Sequence, residues 1–390
     1  MLRVLTLTTL FPSPARPAFG RFVAAQTAAL AARGDVRVTV INPVGLPPFP
    51  LSLSAAYGAA RQTPDQSSGA GFAVHHPRFM LIPRFGGDGN PARIVRAVLP
   101  LACALHAAEP FDLIDAQFFF PDGPAAAAIA RALALPLAIK ARGSDIHYWG
   151  ARPRAAAQML AAAEQADQIL AVSAALAADM AVLGMPAGRI AVHYTGLDHT
   201  RFRPLPRTAA RARFVGIAAD GPLITVPGAL IAIKGQRLAI AALAQLPGAA
   251  LAVAGAGPDE AELRALTANM GLAGRVHFLG QVDHETLPVL LAASDAVVLP
   301  SEREGLANVW VEALACGTPL VIPDVGGARE VMRSASAGRI AARDPAAIAA
   351  AVREVLAADY PQAEVAANAA RFSWAENAAQ LAAQYARIAG

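Results

Sequence analysis

The stretch that decides the fold class is residues 296–319, AVVLPSEREGLANVWVEALACGTP. It opens with an apolar run of strand length and then enters a polar segment that contains Gly305. From Asn308 onward the spacing of apolar residues is that of a helix, which places Glu304 on the connecting loop and Glu312 on the first helical turns. A buried strand, a short loop and a helix in this order predict one repeating unit of a parallel α/β sheet.

The same alternation of strands and helices continues on both sides of this stretch. Short apolar runs alternate with longer alanine-rich segments, and 390 residues exceed the usual size of one domain. Residues 195–221 are rich in Arg, Pro and Asp and show no apolar period, so they are the best linker candidate. We therefore expect two doubly wound, Rossmann-like α/β domains, residues 1–200 and 201–372, with a final helix at 373–390 that packs back on the first.

Composition excludes several classes of protein. Hydrophobic residues make up 55% of the chain and the mean hydropathy is +0.41, but alanine accounts for much of the excess and the apolar runs are interrupted. The sequence thus predicts no transmembrane helix, and the first residues resemble a strand rather than a signal peptide, which predicts a cytoplasmic protein. The only cysteines, Cys103 and Cys316, are expected to be buried, and their number excludes a disulfide framework.

The charge of the chain is modestly basic. A net charge of +4 and a pI near 9.4 suit phosphorylated ligands or an anionic membrane surface. Aromatic residues are only 6% of the chain, and no basic run is interleaved with them. We therefore expect no nucleic-acid partner.

The loop and helix of residues 301–319 carry the clearest chemistry. Unpaired amides at the start of the helix, at Leu306, Ala307, Asn308 and Val309, can receive a diphosphate because the helix dipole also favours an anion there. Glu312 can accept hydrogen bonds from the two hydroxyls of a ribose, and Glu304 can reach the hydroxyls of a sugar.

This stretch, with two glutamates eight positions apart, resembles family 4 of the retaining glycosyltransferases, which have the two-domain GT-B architecture. Each further motif is weak alone, but their order and spacing along nearly the whole chain support the resemblance. In chain order they are FGRFV at 19–23, RGSD at 142–145, AVS at 171–173, TGLD at 195–198 with Phe202, GAL at 228–230 with KG at 234–235, GAGP at 255–258, VHFLG at 276–280, and VGG at 325–327 with Glu330.

The resemblance implies a role for each matching residue. The active site would lie in the cleft between the two domains, with a UDP- or GDP-sugar as the donor. Gly20 and Gly228 would let backbone loops approach the donor phosphates, and Lys234 would offset charge on the leaving pyrophosphate. Glu304, Arg142 and Asp145 would contact the transferred sugar or the acceptor. Retention in this family is attributed to a same-face route with no obligatory protein nucleophile.

Two departures from the family pattern affect these roles. Many members have an arginine where this chain has Ala229, so Lys234 or Arg237 must supply the positive charge. Many have a histidine where Arg142 stands. Arg142 therefore binds an anionic acceptor or donor group, or it is a turn residue, and both interpretations stay open.

Simpler interpretations exist for the other candidates. Glu304 and Asp145 can each be helix caps, Glu312 can be a solvated helix residue, and Lys234 with Gly235 can be a surface turn. The sequence GAG at 255–257 lacks the third glycine of a dinucleotide fingerprint, because Glu260 stands there, so a nicotinamide enzyme is disfavoured.

The sequence therefore predicts transfer of a hexose from a UDP- or GDP-sugar to a glycan or lipid-linked acceptor, as in polysaccharide biosynthesis. A nucleotide-sugar epimerase of the same architecture and a non-catalytic two-domain binding protein are the alternatives. No Asp-x-Asp pair is present, so we expect no obligatory metal or other cofactor. Residues 43–71 are expected to form a long loop beside the site or a mobile acceptor segment.

Residues 78–85, RFMLIPRF, alternate basic and large apolar side chains and are followed by Arg93 and Arg96. This pattern predicts peripheral contact of the first domain with the inner face of the cytoplasmic membrane. Phe79, Leu81 and Ile82 can instead be core residues.

Overall fold

The computed structural model describes residues 1–83, 86–214, 216–217 and 221–390. The chain divides into two compact units. Unit 1 comprises Met1–Gly196 with Trp374–Gly390, and unit 2 comprises Leu197–Ser373. The division expected from the sequence falls within a few residues of these limits.

Unit 1 is built on a mainly parallel sheet that has eight strands in the described residues. The spatial order of the strands is β10-β9-β8-β7-β1-β2-β5-β4, and β3 pairs with β6 in a separate ribbon. The strands are β1 Leu2–Leu7, β2 Val36–Ile41, β3 Val44–Leu46, β4 Gln66–Gly69, β5 Phe72–His75, β6 Arg78–Met80, β7 Leu113–Ala116, β8 Leu137–Ala141, β9 Gln168–Ala171 and β10 Ile190–Val192. The strand order reverses between β1 and β7, which leaves a crevice at their carboxyl ends.

Helices cover the sheet of unit 1. They are α1 Arg21–Ala31, α2 Gly58–Gln62, α3 Asn90–Ala108, α4 Asp122–Leu133, α5 Pro153–Gln165 and α6 Ala174–Val182. The stretch Gly87–Ala108 is long and apolar enough to cross a bilayer when judged by length and composition alone. In the structure Ile94, Val98 and Ala102 of α3 are buried in unit 1, so one face of this helix packs within the unit. Cys103 lies on α3 and is exposed, so the expectation that it is buried was wrong, whereas Cys316 is buried.

The C-terminal helix, α15, spans Trp374–Ala389 and packs on unit 1. Helices α7 to α14 belong to unit 2. Its Leu381 and Tyr385 are fully buried in the same core as α1 and the strands. Asn377 donates from Nδ2 to the carbonyl of Tyr194 at 2.6 Å, and its own carbonyl oxygen lies 2.9 Å from Nε2 of His193. Apolar burial and these hydrogen bonds together hold the end of the chain in place.

Residues 43–71 were expected to be a long loop, and that expectation was wrong. The segment contains β3, two 3-10 turns at Leu51–Leu53 and Ala55–Tyr57, α2 and β4. The sequence of β4, Gln-Ser-Ser-Gly, has little strand propensity, and pairing with β5 supplies its structure. Tertiary pairing thus overrides a weak local signal.

Unit 2 is a parallel sheet of six strands in the described residues, in the order β13-β12-β11-β14-β15-β16. The strands are β11 Leu223–Pro227, β12 Ala250–Ala254, β13 Val276–Gly280, β14 Ala296–Val298, β15 Leu320–Ile322 and β16 Gly338–Ile340. The helices are α7 Arg207–Arg211, α8 Gln236–Leu243, α9 Glu260–Asn269, α10 Thr286–Ala293, α11 Asn308–Ala315, α12 Ala328–Val331, α13 Pro345–Ala358 and α14 Gln362–Ala367. The order reverses between β11 and β14, so the loops after these two strands border the crevice of this unit.

Candidate active site

The loop that follows β11 borders the crevice of unit 2 and begins with Gly228. Gly228 has φ +126°, a conformation that L-residues rarely adopt, and a Cβ placed there would meet open space. Gln236 is buried and donates from Nε2 to the carbonyl of Ala229 at 2.9 Å, which fixes the loop from behind. Sequence reasoning gave Gln236 no role, because nothing in its local pattern indicates this contact.

Lys234 lies at the end of a 3-10 turn, Ala232–Lys234, and pairs with Glu304. The distance from Nζ to Oε1 is 2.6 Å, and both side chains are mostly buried, with 24% and 11% of their surfaces exposed. Gly235 follows with φ +71°, and a Cβ there would lie 2.4 Å from the carbonyl oxygen of Pro300. The structure therefore brings two of the predicted site residues together as a partly buried ion pair.

The loop that carries Glu304 is held by its backbone. The amide of Glu302 donates to the carbonyl of Ile233 at 2.8 Å, and that of Gly327 donates to Gly305 at 2.8 Å. Gly326 has φ +50°, and a Cβ there would lie 2.1 Å from the carbonyl oxygen of Glu304. The glycines of the VGG motif thus permit a close approach of two loops, a role that the sequence did not reveal.

Helix α11 begins beside this pair. Its N-cap is Ala307, which has no side chain able to cap the helix, and no side-chain cap hydrogen bond is formed. The amides of Leu306, Ala307, Asn308 and Val309 precede the first intrahelical donor. The start of α11 therefore presents several amides and the positive end of the helix dipole to an anion, as expected from the sequence.

Glu312 lies one turn along α11 and is half-buried. Its carboxylate makes no hydrogen bond or ion pair with any residue that the structure describes. Burial raises the pKa of this carboxyl to about 7. Fully buried neighbours on the same helix, Trp310 and Val311, fix its backbone. A desolvated acceptor without a protein partner is suited to hydrogen-bond donors from a ligand.

In unit 1, Gly20 is the N-cap residue of α1 and has φ +69°. A Cβ at Gly20 would lie 2.4 Å from the carbonyl oxygen of Leu10 and 2.8 Å from the amide nitrogen of Phe11. The space left by its missing side chain is therefore filled by the protein's own backbone. This contact is sufficient to require glycine, whatever the loop binds.

Asp145 is fully buried after β8 and is surrounded by backbone amides. Its carboxylate accepts from Phe119 at 2.7 Å, Gly143 at 2.8 Å, Arg142 at 3.0 Å and Ile146 at 3.1 Å. These hydrogen bonds hold the turn that enters a short π-helix, Asp145–Trp149. The structure favours the capping interpretation of Asp145 over direct contact with a substrate.

Arg142 is half-buried, and two glutamines hold its guanidinium. Its Nη2 donates to Oε1 of Gln117 at 2.5 Å and to Oε1 of Gln26 at 3.4 Å, and its Nε donates to the Gln117 carbonyl at 3.2 Å. The guanidinium also lies over the ring of Phe22, 5.1 Å from its centre. Burial lowers the pKa of Arg142 to about 10, so it stays charged at neutral pH. No carboxylate lies within ion-pair distance of it in the described part of the chain. An oriented cation of this kind fits the anion-binding interpretation better than that of a turn residue.

A fully buried lysine lies behind Arg142. Lys140 donates to Oε1 of Gln26 at 3.0 Å and lies 2.6 Å from Nδ1 of His193. Burial and the neighbouring Arg142 lower the pKa of Lys140 well below its usual value. Sequence reasoning did not find this network, since its members are far apart along the chain.

A cavity of about 280 Å³ opens at the carboxyl edge of unit 1. Its walls include the aromatic side chains of Phe19, Tyr57 and Phe79 and the polar side chains of Arg16 and Asn42. Aromatic faces beside a few polar groups are typical of pockets that bind small polar molecules. Sequence reasoning did not find this cavity, because residues of β3, β6, α2 and the loop after β1 come together only in the folded unit.

Comparison with known proteins agrees with this geometry. The family model described as "Glycosyltransferase Family 4" matches residues 19–201, and "Glycosyl transferases group 1" matches residues 210–372. The chain is 34% identical over 259 residues to a D-inositol 3-phosphate glycosyltransferase of Geodermatophilus obscurus, which covers 62% of this chain and 57% of that protein. The corresponding protein of Mycobacterium tuberculosis is 34% identical over 220 residues, 53% of this chain and 45% of that protein. The chain thus spans about half the length of the curated relatives it matches.

Solved structures show the same fold. Sucrose-phosphate synthase from Thermosynechococcus elongatus superposes with a TM-score of 0.78 at 22% identity, over 99% of both chains. HepE of Anabaena in complex with UDP-glucose gives a TM-score of 0.74 at 22% identity, over the full length of both chains. Two Rossmann-like units, each with a crevice at its carboxyl edge, together with these neighbours define the GT-B fold.

The chain belongs to the glycosyltransferases of the family 4 type, and the two matching models leave only residues 1–18, 202–209 and 373–390 outside them. The resemblance inferred from the sequence motifs is confirmed, and so are the two-domain α/β fold and the class of enzyme.

Proposed function

We propose that this enzyme transfers a hexose from a UDP- or GDP-sugar to a glycan or lipid-linked acceptor, with retention at the anomeric carbon, in the synthesis of a polysaccharide. The observation that carries the proposal is the carboxylate of Glu312 on α11, which has no partner among the residues that the structure describes. The uncapped first turn of α11 lies beside the Lys234–Glu304 pair. Acceptors for ribose hydroxyls and donors for a diphosphate thus occur within one strand-loop-helix unit. UDP-sugars are the first donors to test, since HepE of Anabaena was solved with UDP-glucose.

The Lys234–Glu304 pair is proposed to supply the positive charge that stabilises the leaving group. A diphosphate bound at the start of α11 places a second anion near Lys234, whose charge then opposes the negative charge that grows on the leaving group. Glu304 is released from the pair to accept from a hydroxyl of the transferred sugar. The leaving phosphate assists deprotonation of the acceptor on the same face of the sugar, so no protein nucleophile takes part.

The acceptor is proposed to bind unit 1, in the cavity that includes Arg16 and near Arg142. Two cations at this edge favour an acceptor that carries a phosphate or another anionic group. The relatives named D-inositol 3-phosphate glycosyltransferase are consistent with a phosphorylated acceptor.

We propose further that the protein is cytoplasmic and contacts the inner face of the cytoplasmic membrane through unit 1. Of the segment expected to make this contact, Phe79 is buried as a core residue, whereas Met80 and Ile82 are exposed. Arg84 and Phe85 lie outside the described residues.

The test is donor turnover with and without an acceptor. Purified protein is incubated with UDP- and GDP-sugars, and release of nucleoside diphosphate is measured with a panel of phosphorylated and lipid-linked glycan acceptors. Acceptor-dependent release supports the proposal. An altered nucleotide sugar formed without an acceptor indicates an epimerase, and nucleotide binding without any reaction indicates a binding protein. Activity that is lost in EDTA and restored by manganese or magnesium would contradict the expected independence from metal.

A further inference from the structure

Residues 47–54 of unit 1, PPFPLSLS, form an exposed apolar segment that the donor chemistry does not explain. The ring of Phe49 is 79% exposed, and Leu51 and Leu53 are each more than half exposed. Single exposed apolar residues are common on soluble proteins, but three within five positions form a patch. Such a patch indicates that the segment meets something other than water.

The patch extends through the β3–β6 ribbon. Leu46 of β3 pairs with Met80 of β6, and the amide of Leu81 donates to the carbonyl of Leu46 at 2.8 Å. Met80 and Ile82 are also exposed. Residues that directly precede the apolar segment therefore lie beside two more exposed apolar side chains on the same edge of unit 1.

The backbone of the segment is satisfied internally. The amides of Ser52, Leu53 and Ser54 donate to carbonyls three or four residues earlier in the chain. The guanidinium of Arg61 donates to the carbonyls of Ser52 and Ser54. Apolar side chains are thus presented by a turn with few free backbone groups, which lowers the cost of entering an apolar phase.

Charge distribution identifies the kind of surface that the segment fits. Residues 38–60 contain no charged side chain, so no charge opposes insertion there. The first 109 residues contain ten arginines, no lysine and four acidic residues, one of which, Glu109, pairs with Arg3 and Arg37, whereas the net charge of the whole chain is +4. Arg16 lines the same cavity as Tyr57. Arg78 pairs with Asp65 and also donates to the carbonyl of Arg61, so Arg61 brings the positive charge that no acidic side chain among the described residues offsets. An uncharged apolar tip beside basic residues complements an anionic bilayer.

We propose that residues 47–54 insert into an anionic lipid bilayer and dock unit 1 on it, with Phe49 as the deepest side chain. Leu51 and Leu53 enter beside Phe49, while the neighbouring arginines contact lipid phosphates. The segment continues through Ala56 and Tyr57 into the wall of the unit 1 cavity. A headgroup at the bilayer surface thereby lies close to the proposed acceptor pocket. This docking does not depend on the identity of the donor.

The experiment measures flotation with vesicles of phosphatidylcholine alone or mixed equally with phosphatidylglycerol. The wild-type protein should float with the anionic vesicles, and less at high salt. Phe49→Ser should lower the partition coefficient about tenfold, because a phenyl ring no longer enters the bilayer. Val182→Ser is the matched control, because Val182 lies on α6 of the same unit and is 88% exposed. It should float as the wild type does.

A second measurement reports insertion directly. Tryptophan fluorescence of Phe49→Trp should shift to the blue on addition of anionic vesicles and be quenched by brominated lipid, while Val182→Trp should show neither change. Both serine variants should keep the wild-type melting temperature and UDP affinity, since both sites are exposed.

Three results would overturn the proposal. The first is the absence of flotation with anionic vesicles, and the second is equal flotation of Phe49→Ser and Val182→Ser. The third is a concentration-dependent dimerisation of the wild type that Phe49→Ser abolishes, which would assign the patch to contact with a second copy of the chain. Donor turnover is measured in parallel. Vesicle binding without transfer contradicts the proposed transfer and leaves the docking standing, whereas transfer without vesicle binding contradicts the docking and the membrane contact proposed for unit 1.

Discussion

Asp145 of unit 1 and Glu312 of unit 2 both follow parallel strands at the carboxyl edge of their sheets, yet their surroundings are opposite. Asp145 accepts from four backbone amides within its own unit. Glu312 has no hydrogen-bonding partner in the described residues, and burial raises its pKa to about 7. A carboxylate whose acceptor capacity is filled by the fold stabilises that fold. A carboxylate that is desolvated and receives no hydrogen bond from the protein can accept hydrogen bonds from a ligand, but it lowers the stability of the fold.

The largest effect is expected from Asp145→Ala, which removes the acceptor for those amides. Leaving buried N–H groups unsatisfied should lower the free energy of unfolding of unit 1 by on the order of 3–5 kcal/mol. Thermal and urea denaturation followed by tryptophan fluorescence measure the change. Asp344→Ala is the matched control, because Asp344 is an exposed N-cap that accepts from a single amide at 3.1 Å, and its loss should cost about 1 kcal/mol.

If Asp145→Ala lowers the free energy of unfolding no more than Asp344→Ala does, the four amide hydrogen bonds to Asp145 do not stabilise unit 1 as proposed. If Asp145→Ala folds normally but loses turnover, Asp145 belongs among the substrate-binding residues and the contrast with Glu312 fails.

The next effect is expected from Lys234→Ala. Loss of a cation that acts on charge developing in the transition state should lower kcat about 100- to 1000-fold, with a smaller change in donor affinity. Steady-state kinetics give kcat, and calorimetry with the nucleoside diphosphate gives affinity. Arg237→Ala serves as the control, since Arg237 is mostly exposed and its ion pair with Glu262 spans 3.5 Å. Equal losses in Lys234→Ala and Arg237→Ala would contradict the assignment of the charge to Lys234.

Glu312→Ala should weaken nucleotide binding by on the order of 1.5–3 kcal/mol, because the ribose hydroxyls lose a charged acceptor. Its stability should stay the same or rise, since an unpaired and desolvated carboxylate is removed. Calorimetry with UDP and GDP, combined with thermal denaturation, measures both. Unchanged affinity for both nucleotides would remove Glu312 from the site.

The smallest expected effect is the change in nucleotide affinity with pH. The folded-state pKa of Glu312 is raised from 4.5 to about 7, so its stabilising contribution is complete below the unfolded pKa and is lost as the pH rises through the folded one. Nucleotide binding needs the ionised form, so affinity should rise about tenfold between about pH 6 and about pH 8. Glu312→Gln should remove this rise, leaving only the titration of the nucleotide phosphate. A rise of equal size in Glu312→Gln would show that Glu312 does not titrate in this range.

Elements that depend on local information along the chain could be predicted from the amino-acid sequence. The alternation of apolar runs and helical periods gave two α/β units, and residues 296–319 placed Glu304, Glu312 and the start of α11 on one strand-loop-helix unit. These features follow from spacing along a continuous piece of chain, where backbone geometry fixes which positions lie near one another.

The contacts between residues that are distant along the chain became visible in the folded protein alone. Lys234 pairs with Glu304 across 70 positions, and the amide of Phe119 reaches Asp145 across 26. Periodicity shows that one face of an element is buried but not what covers it, so the partners of a carboxylate cannot be read from its neighbours in sequence. For the same reason, residues 43–71 were expected to form a long loop, and only the folded unit shows that they contain β3, α2 and β4 and that Phe49 is left exposed.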